Sequence, residues 1–166
     1  MMTAHLPPVH RQILGTRRLL WPDEAACAAW ARALAGRPEL ADACIELHGT
    51  LGAGKTTFVR HLLRELGVAG RIKSPTYTVM EPYRVGALEI SHFDFYRFDD
   101  PREFEDAGFR DVFSRPGLKL VEWPDRAAGV LPLPDLRLEL DVDAHEQRKV
   151  TAQALTPRGA ALLAGV

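Results

Sequence analysis

The chain has 166 residues, enough for one domain with a substantial core, since a chain of this size buries about 70% of the surface its unfolded form exposes. A formal net charge of −1 and a pI near 6.6 argue against strong direct binding of nucleic acid, which wants a basic face. No run of eighteen apolar residues is present to span a membrane, and residues 1–18 carry charges and Pro7-Pro8 where a secretory signal needs an apolar stretch.

Residues 1–16 read as a flexible N-terminal extension, and 17–166 as a single domain. The Ala-rich segment Asp23 to Leu34 is a helix, with Pro22-Asp23 as its start signal and Gly36 as its stop. Ala43 to His48 reads as a short strand. Lys55 to Leu66 is a helix with Phe58, Leu62 and Leu66 on one stripe, and Gly67 ends it. Ser74 to Thr78 enters as a stiff loop, because Pro75 biases Ser74 to an extended conformation, and it opens a strand running to Met80. Leu88 to Phe95 is a further strand. Asp100-Pro101-Arg102-Glu103 supplies an N-cap, a proline at the first helical position and a glutamate at the third, for a helix ending near Gly108. The apolar run Leu118 to Glu122 suits a buried strand stopped by Trp123-Pro124. Leu136 to Val142 and Val150 to Ala154 alternate apolar with polar residues, as a hairpin exposed on one face does. A short Ala/Leu helix follows Pro157. The whole is one α/β unit with a β-hairpin appended. Cys27 and Cys44, with no C-x-x-C pair, read as buried free thiols of a reducing cytoplasm.

Between the strand that ends at His48 and the helix that begins at Lys55 lies Gly49-Thr50-Leu51-Gly52-Ala53-Gly54-Lys55-Thr56, which fits G-x-x-x-x-G-K-[ST]. Each required residue has a physical task. The glycines let successive backbone N–H groups of Leu51, Gly52, Ala53, Gly54, Lys55, Thr56 and Thr57 turn toward phosphate oxygens. The Lys55 ammonium reaches the β- and γ-phosphates, and the Thr56 hydroxyl suits Mg²⁺. Strand, glycine loop and helix are the arrangement this chemistry needs. The chain contains no asparagine, so the N-K-x-D segment that reads guanine cannot be written, and ATP is favoured over GTP. Mg²⁺ prefers six hard oxygen ligands, and a carboxylate at the end of a neighbouring strand commonly contributes. Two strands end in acids, at Asp94 and at Glu122, and spacing alone does not rank them. His92 reads as a packed structural imidazole. The acidic residues from Asp99 to Asp106 read as a solvated helix start.

Four segments taken together, GTLGAGKTTF (49–58), SPTYT (74–78), HFDFYR (92–97) and VEWP (121–124), resemble the bacterial tRNA threonylcarbamoyladenosine biosynthesis family TsaE, also called YjeE. The glycine loop is widely shared; the other three in this order are far more specific. The resemblance implies a three-layer P-loop fold with a central, mostly parallel sheet. It implies a cytoplasmic Mg²⁺-dependent ATPase, weak alone, that acts with TsaB and TsaD to reset their complex between turnovers. That complex modifies the adenosine next to the anticodon, and its tRNA would be held mainly by the partners. It places Lys55 on the phosphates, Thr56 and Glu122 on Mg²⁺, and Asp94 in the Walker B role. Ser74, Pro75, Thr76 and Tyr77 would form a nucleotide-sensing, switch-like loop, and Trp123 would stand beside the metal acid. Glu24 and Arg148 would lie near the nucleotide, and Cys27 stands where the family commonly has threonine. Two rival functions remain on the same scaffold. One is a small-molecule kinase, with Arg97, Arg102, Arg110 and Arg115 as lid candidates; the other is a non-hydrolysing, nucleotide-gated binding module.

Overall fold

The computed structural model describes residues 12–166. In chain order its elements are β1 (Gly15–Trp21), α1 (Glu24–Ala35), a 3₁₀ turn (Pro38–Asp42), β2 (Cys44–His48) and α2 (Lys55–Glu65). β3 (Met80–Val85), β4 (Leu88–Asp94), α3 (Arg102–Asp106), α4 (Phe109–Ser114) and β5 (Leu118–Glu122) follow. A second 3₁₀ turn (Pro124–Ala127), β6 (Leu136–Val142), β7 (Arg148–Ala154) and α5 (Pro157–Ala164) complete it. The strands form one seven-stranded sheet in the order β1-β7-β6-β2-β5-β4-β3. The four central strands β6, β2, β5 and β4 run parallel, and the outer pairings β1–β7, β7–β6 and β3–β4 are antiparallel. β5 is buried along its whole length, as a central parallel strand covered on both faces must be, whereas β6 alternates buried and half-buried residues.

Two cores flank the sheet. One joins α1, α2 and α5 to the sheet through Trp30, Leu34, Phe58, Leu62, Leu162, Ile45, Leu120 and Leu138. The other, on the opposite face, gathers Phe93, Phe95, Phe98, Phe104 and Val121, with Phe109 and Phe113 of α4 packed against them. Helix start signals act as the sequence implies at α1, where the Asp23 carboxylate accepts the Ala26 N–H at 2.9 Å. Gly67, with φ of 101°, follows the end of α2.

Several boundaries differ from the sequence reading. Residues 1–11 of the expected extension lie outside the described residues, but Gly15 and Thr16 belong to β1, held by pairing to Ala154 and Gln153. The strand expected from Ser74 starts only at Met80. The Val79 N–H bonds the Pro75 carbonyl at 2.6 Å, and Val79 has a φ of 67°, which breaks the extended run. Pro101, not Asp100, occupies the cap of α3; Asp100 instead accepts the Arg102 N–H at 2.8 Å while Glu103 accepts from Asp99 at 2.9 Å and from Asp100 at 3.3 Å. Gly108 ends that segment with a φ of 75°, and α4 begins immediately after it, which the sequence reading did not anticipate. Cys27 is buried, with its thiol pushed up to about 11 chiefly by burial, whereas Cys44 is half-buried rather than buried.

Candidate phosphate-loop site

The loop from Gly49 to Gly54 joins the end of β2 to the start of α2, at the carboxyl ends of the parallel strands, where open α/β sheets place their ligands. Its glycines are required by geometry. Gly49 has a φ of 151°, and a Cβ there would lie 2.6 Å from the Leu140 carbonyl oxygen; Gly54, at φ 108°, caps α2. Arg148, the first residue of β7, clasps the loop from the side. Its guanidinium donates to the Ala53 carbonyl at 3.3 Å and the Gly52 carbonyl at 3.4 Å, and to the Glu146 backbone carbonyl at 2.6 Å.

Lys55 is buried at the base of α2. Its ammonium donates to the Gly49 carbonyl and, at 3.3 Å, to the Thr50 carbonyl, and it sits 3.8 Å from the centre of the Trp123 ring. Burial pushes its pKa below the ordinary lysine value, while the nearby Glu122 and Asp94 carboxylates act in the opposite sense. The Trp123 backbone adopts a left-handed conformation (φ 55°), a costly state for a bulky residue, and this turn ends β5 beside the loop.

The two strand-end acids sit side by side, because Asp94 and Glu122 are register partners in the parallel β4–β5 ladder. Glu122 is 2% exposed and both of its carboxylate oxygens are engaged. Oε1 accepts the Thr56 hydroxyl at 2.8 Å, and Oε2 meets His92 Nε2 at 2.6 Å. His92, itself 1% exposed, thus packs as the sequence reading has it, but with a specific partner; its Nδ1 has none among the described residues. Asp94 accepts the Tyr96 N–H at 2.9 Å, and burial raises its pKa above the usual carboxylate value. Two hard oxygens of opposite hydrogen-bonding character in contact at a phosphate loop, with a second carboxylate on the neighbouring strand, fit a Mg²⁺ site.

A cavity of about 340 Å³ brings together Leu51 to Thr57, Ser74, Thr76, Asp94, Glu122, Trp123 and Arg148. Tyr96, which sequence reasoning missed, also lines it, its ring 4.9 Å from that of Trp123. Glu24 lies instead in an adjoining cavity of about 190 Å³ with Trp21, Asp23, Cys27, Gly54, Thr57 and Arg148. Asp23 was legible only as a helix start signal, and Trp21 was not singled out. Of the switch-like residues, Ser74 and Thr76 share a hydrogen bond of 2.8 Å at the cavity, while Tyr77 is 81% exposed, stacked under Arg97 at 4.1 Å. Pro75 does not line the cavity but ties the segment through Val79, whose carbonyl accepts the Asp94 N–H at 2.9 Å.

Residues 21–150 match the family model described as threonylcarbamoyl adenosine biosynthesis protein TsaE. The chain belongs to the TsaE family. It is similar to the tRNA threonylcarbamoyladenosine biosynthesis protein TsaE of Haemophilus influenzae, 44% identical over 97 residues that cover 58% of this chain and 61% of that protein. It is also similar to the protein of that name from Bacillus subtilis, 36% identical over 114 residues, or 69% of this chain and 71% of that one. The aligned stretch thus spans less than two thirds of the Haemophilus relative. The fold resembles the crystal structure of Bacillus subtilis YdiB with a TM-score of 0.75 and 26% identity, over 92% of this chain and 95% of that one. The TsaE match takes in the phosphate loop, both strand-end acids and Arg148, but not β1 before Trp21 or α5. Among the described residues no helix is long and apolar enough to cross a membrane.

Proposed function

We propose that this TsaE chain is a Mg²⁺-dependent ATPase serving formation of threonylcarbamoyladenosine in tRNA, working with TsaB and TsaD and resetting their complex between turnovers in the cytoplasm. The observation that carries the reading is the Thr56–Glu122 contact of 2.8 Å beside the buried Lys55 ammonium. It joins a hydroxyl of the phosphate loop to a strand-end carboxylate at the place where a nucleotide's terminal phosphates would meet the loop.

In this reading the loop amides and Lys55 hold the β- and γ-phosphates and stabilise charge on their oxygens. Lys55 then leaves the Gly49 and Thr50 carbonyls, which are weaker partners than a phosphate dianion. Thr56 and Glu122 would hold Mg²⁺, which when bound neutralises phosphate charge as a Lewis acid. His92 fixes Glu122 through its other oxygen, and Asp94 orients the attacking water. Arg148 keeps the loop carbonyls turned outward, so that the loop N–H groups face the ligand. The site offers no glutamine to position water, and slow turnover by the isolated chain follows, with an arginine from a partner worth about 10³–10⁵ in rate.

The test is multi-cycle tRNA modification by TsaB and TsaD with and without this chain. Dependence on the chain, lost in Lys55→Ala, supports the reading; indifference to it refutes the role. Label from [γ-³²P]ATP should appear in inorganic phosphate, whereas its appearance in an organic product would make the chain a kinase. Association with the partners under ATP without repeated turnover would make it a binding module.

A further inference from the structure

α3 and α4 cover the phenylalanine-rich face of the sheet only near the strand ends that carry Asp94 and Glu122. Beyond α4, toward the start of β5, the same face is open. A cavity of about 430 Å³ lies there, lined by Arg84 of β3, Glu89 and Ser91 of β4, Lys119 of β5 and the α4 terminus through Val112 and Arg115. It is separate from the phosphate-loop cavity and shares no lining residue with it. Lys119 and Glu122 are three positions apart along β5, about 10 Å of strand.

Lys119 is the anomaly. Its side chain is 6% exposed, and its ammonium donates only to the Arg115 carbonyl, with no ion pair to any carboxylate among the described residues. An ammonium has three donors, and a buried charge is ordinarily paired. Burial pushes its pKa below the ordinary lysine value, while Asp42, in the adjoining hollow, acts in the opposite sense; that carboxylate is already engaged with the Gly117 N–H at 3.0 Å. Arg84 and Arg115 stand exposed at the rim without carboxylate partners among the described residues. Glu89 is the sole acid lining the cavity, opposite Arg84 in the strand register but not in an ion pair with it. The lining therefore carries three cationic side chains against the one carboxylate of Glu89, an excess of two positive charges, and Lys119 among them is buried. Met80, Pro82 and Val112 supply an apolar wall.

We propose that this cavity binds a small phosphate monoester, with its phosphate held by Lys119, Arg84 and Arg115 and its organic part against Met80, Pro82 and Val112. A phosphate monoester carries about −1.5 to −2 charges at neutral pH, which matches the uncompensated lining, and planar guanidinium groups suit its oxygens. The cavity lies within the usual volume range of small-molecule sites. The proposal stands apart from the ATPase reading, since it uses none of that site's residues.

The probe is phenyl phosphate, titrated calorimetrically into the full chain, with Lys55→Ala as a control that cripples the phosphate loop. Binding should persist in Lys55→Ala and weaken about tenfold or more in Lys119→Met. If Lys119→Met does not fold by circular dichroism, the Arg84→Ala/Arg115→Ala double variant takes its place, since both residues are at the rim, and it should weaken binding by a similar factor. Phenol should not bind, and inorganic phosphate should bind at least about fivefold more weakly, because it lacks the part that meets the apolar wall. Binding lost in Lys55→Ala but unchanged in the cavity variants would place the probe on the phosphate loop and overturn the proposal. So would the absence of binding to folded protein at millimolar probe.

Discussion

The two faces of the sheet are built from different material. Under α1, α2 and α5 the core is aliphatic with a small aromatic group, Trp21, Trp30 and Phe58, whose ring centres lie 5.8–6.0 Å apart, and its side chains come mostly from regular helices and strands. Under α3 and α4 the core is a phenylalanine cluster, drawn from strand ends, a loop and two helices of five and six residues. The first face sets the phosphate loop on a long helix. The second seats Asp94, Trp123 and the turn after β5. The phosphate loop and the strand end that carries Asp94 thus rest on two differently built cores.

The largest effect that bears on this contrast is at Lys55, the cradle's charge. Lys55→Ala should abolish ATP hydrolysis without altering the far-ultraviolet circular dichroism; retained turnover would show that the cradle does not act on phosphate. Next, Phe58→Ala on the aliphatic face should cost about 3–5 kcal/mol in urea unfolding. Phe113→Ala, half-buried on the other face, should cost less; the reverse order would show that the phenylalanine face carries more of the stability than its burial implies. Asp135 pins the 44–48 strand to α5: it accepts the Cys44 N–H at 2.8 Å and the Thr156 hydroxyl at 2.5 Å, so Asp135→Ala should cost about 1–3 kcal/mol. Glu122→Ala should lower the Mg²⁺ dependence of ATP affinity, and an unchanged metal requirement would remove Glu122 from the metal.

The smallest effect concerns Asp94 and has a definite sign. Its folded pKa is raised above the unfolded value, chiefly by burial, so the folded state favours the protonated form. Its ionisation therefore lowers stability as pH rises through and above the ordinary carboxylate range, and the penalty is relieved as pH falls. Asp94→Asn should accordingly raise the melting temperature of the nucleotide-free, metal-free protein at pH 7, with the gain shrinking at acid pH, while hydrolysis falls. Destabilisation at pH 7 would show that the acid is held by contacts that outweigh its burial.

The same contrast decides what could be read from the residues. The face that carries the loop is periodic: α2 presents Phe58, Leu62 and Leu63 at helical spacing, the hairpin alternates, and the glycine pattern has one physical meaning. The other face is assembled by tertiary packing. Nothing local in Phe109 to Ser114 marks α4, because its value lies in rings that meet Phe93 of β4 and Phe104 of α3 on the same face of the sheet. At the site, Lys55 and Thr56 follow from a motif, but that Asp94 and Glu122 stand side by side is visible only in the ladder. That Thr56 touches Glu122, 66 residues away, is a fact of register. β1 escaped notice because its first four residues, Gly15 to Arg18, show no apolar alternation and its partner lies more than a hundred residues downstream.

That last pairing also bears on biosynthesis. Trp21 stands in the cavity beside Gly54 and Thr57, yet the strand that carries it is zipped along 148–154, with Trp21 opposite Arg148. Closing a chain segment of that length costs conformational entropy, and the pairing cannot form before its downstream strand exists. Arg148 also clasps the glycine loop, so the loop's clasp and the wall formed by Trp21 are both completed only after Arg148 has been translated, and a prematurely terminated product would lack a finished cavity.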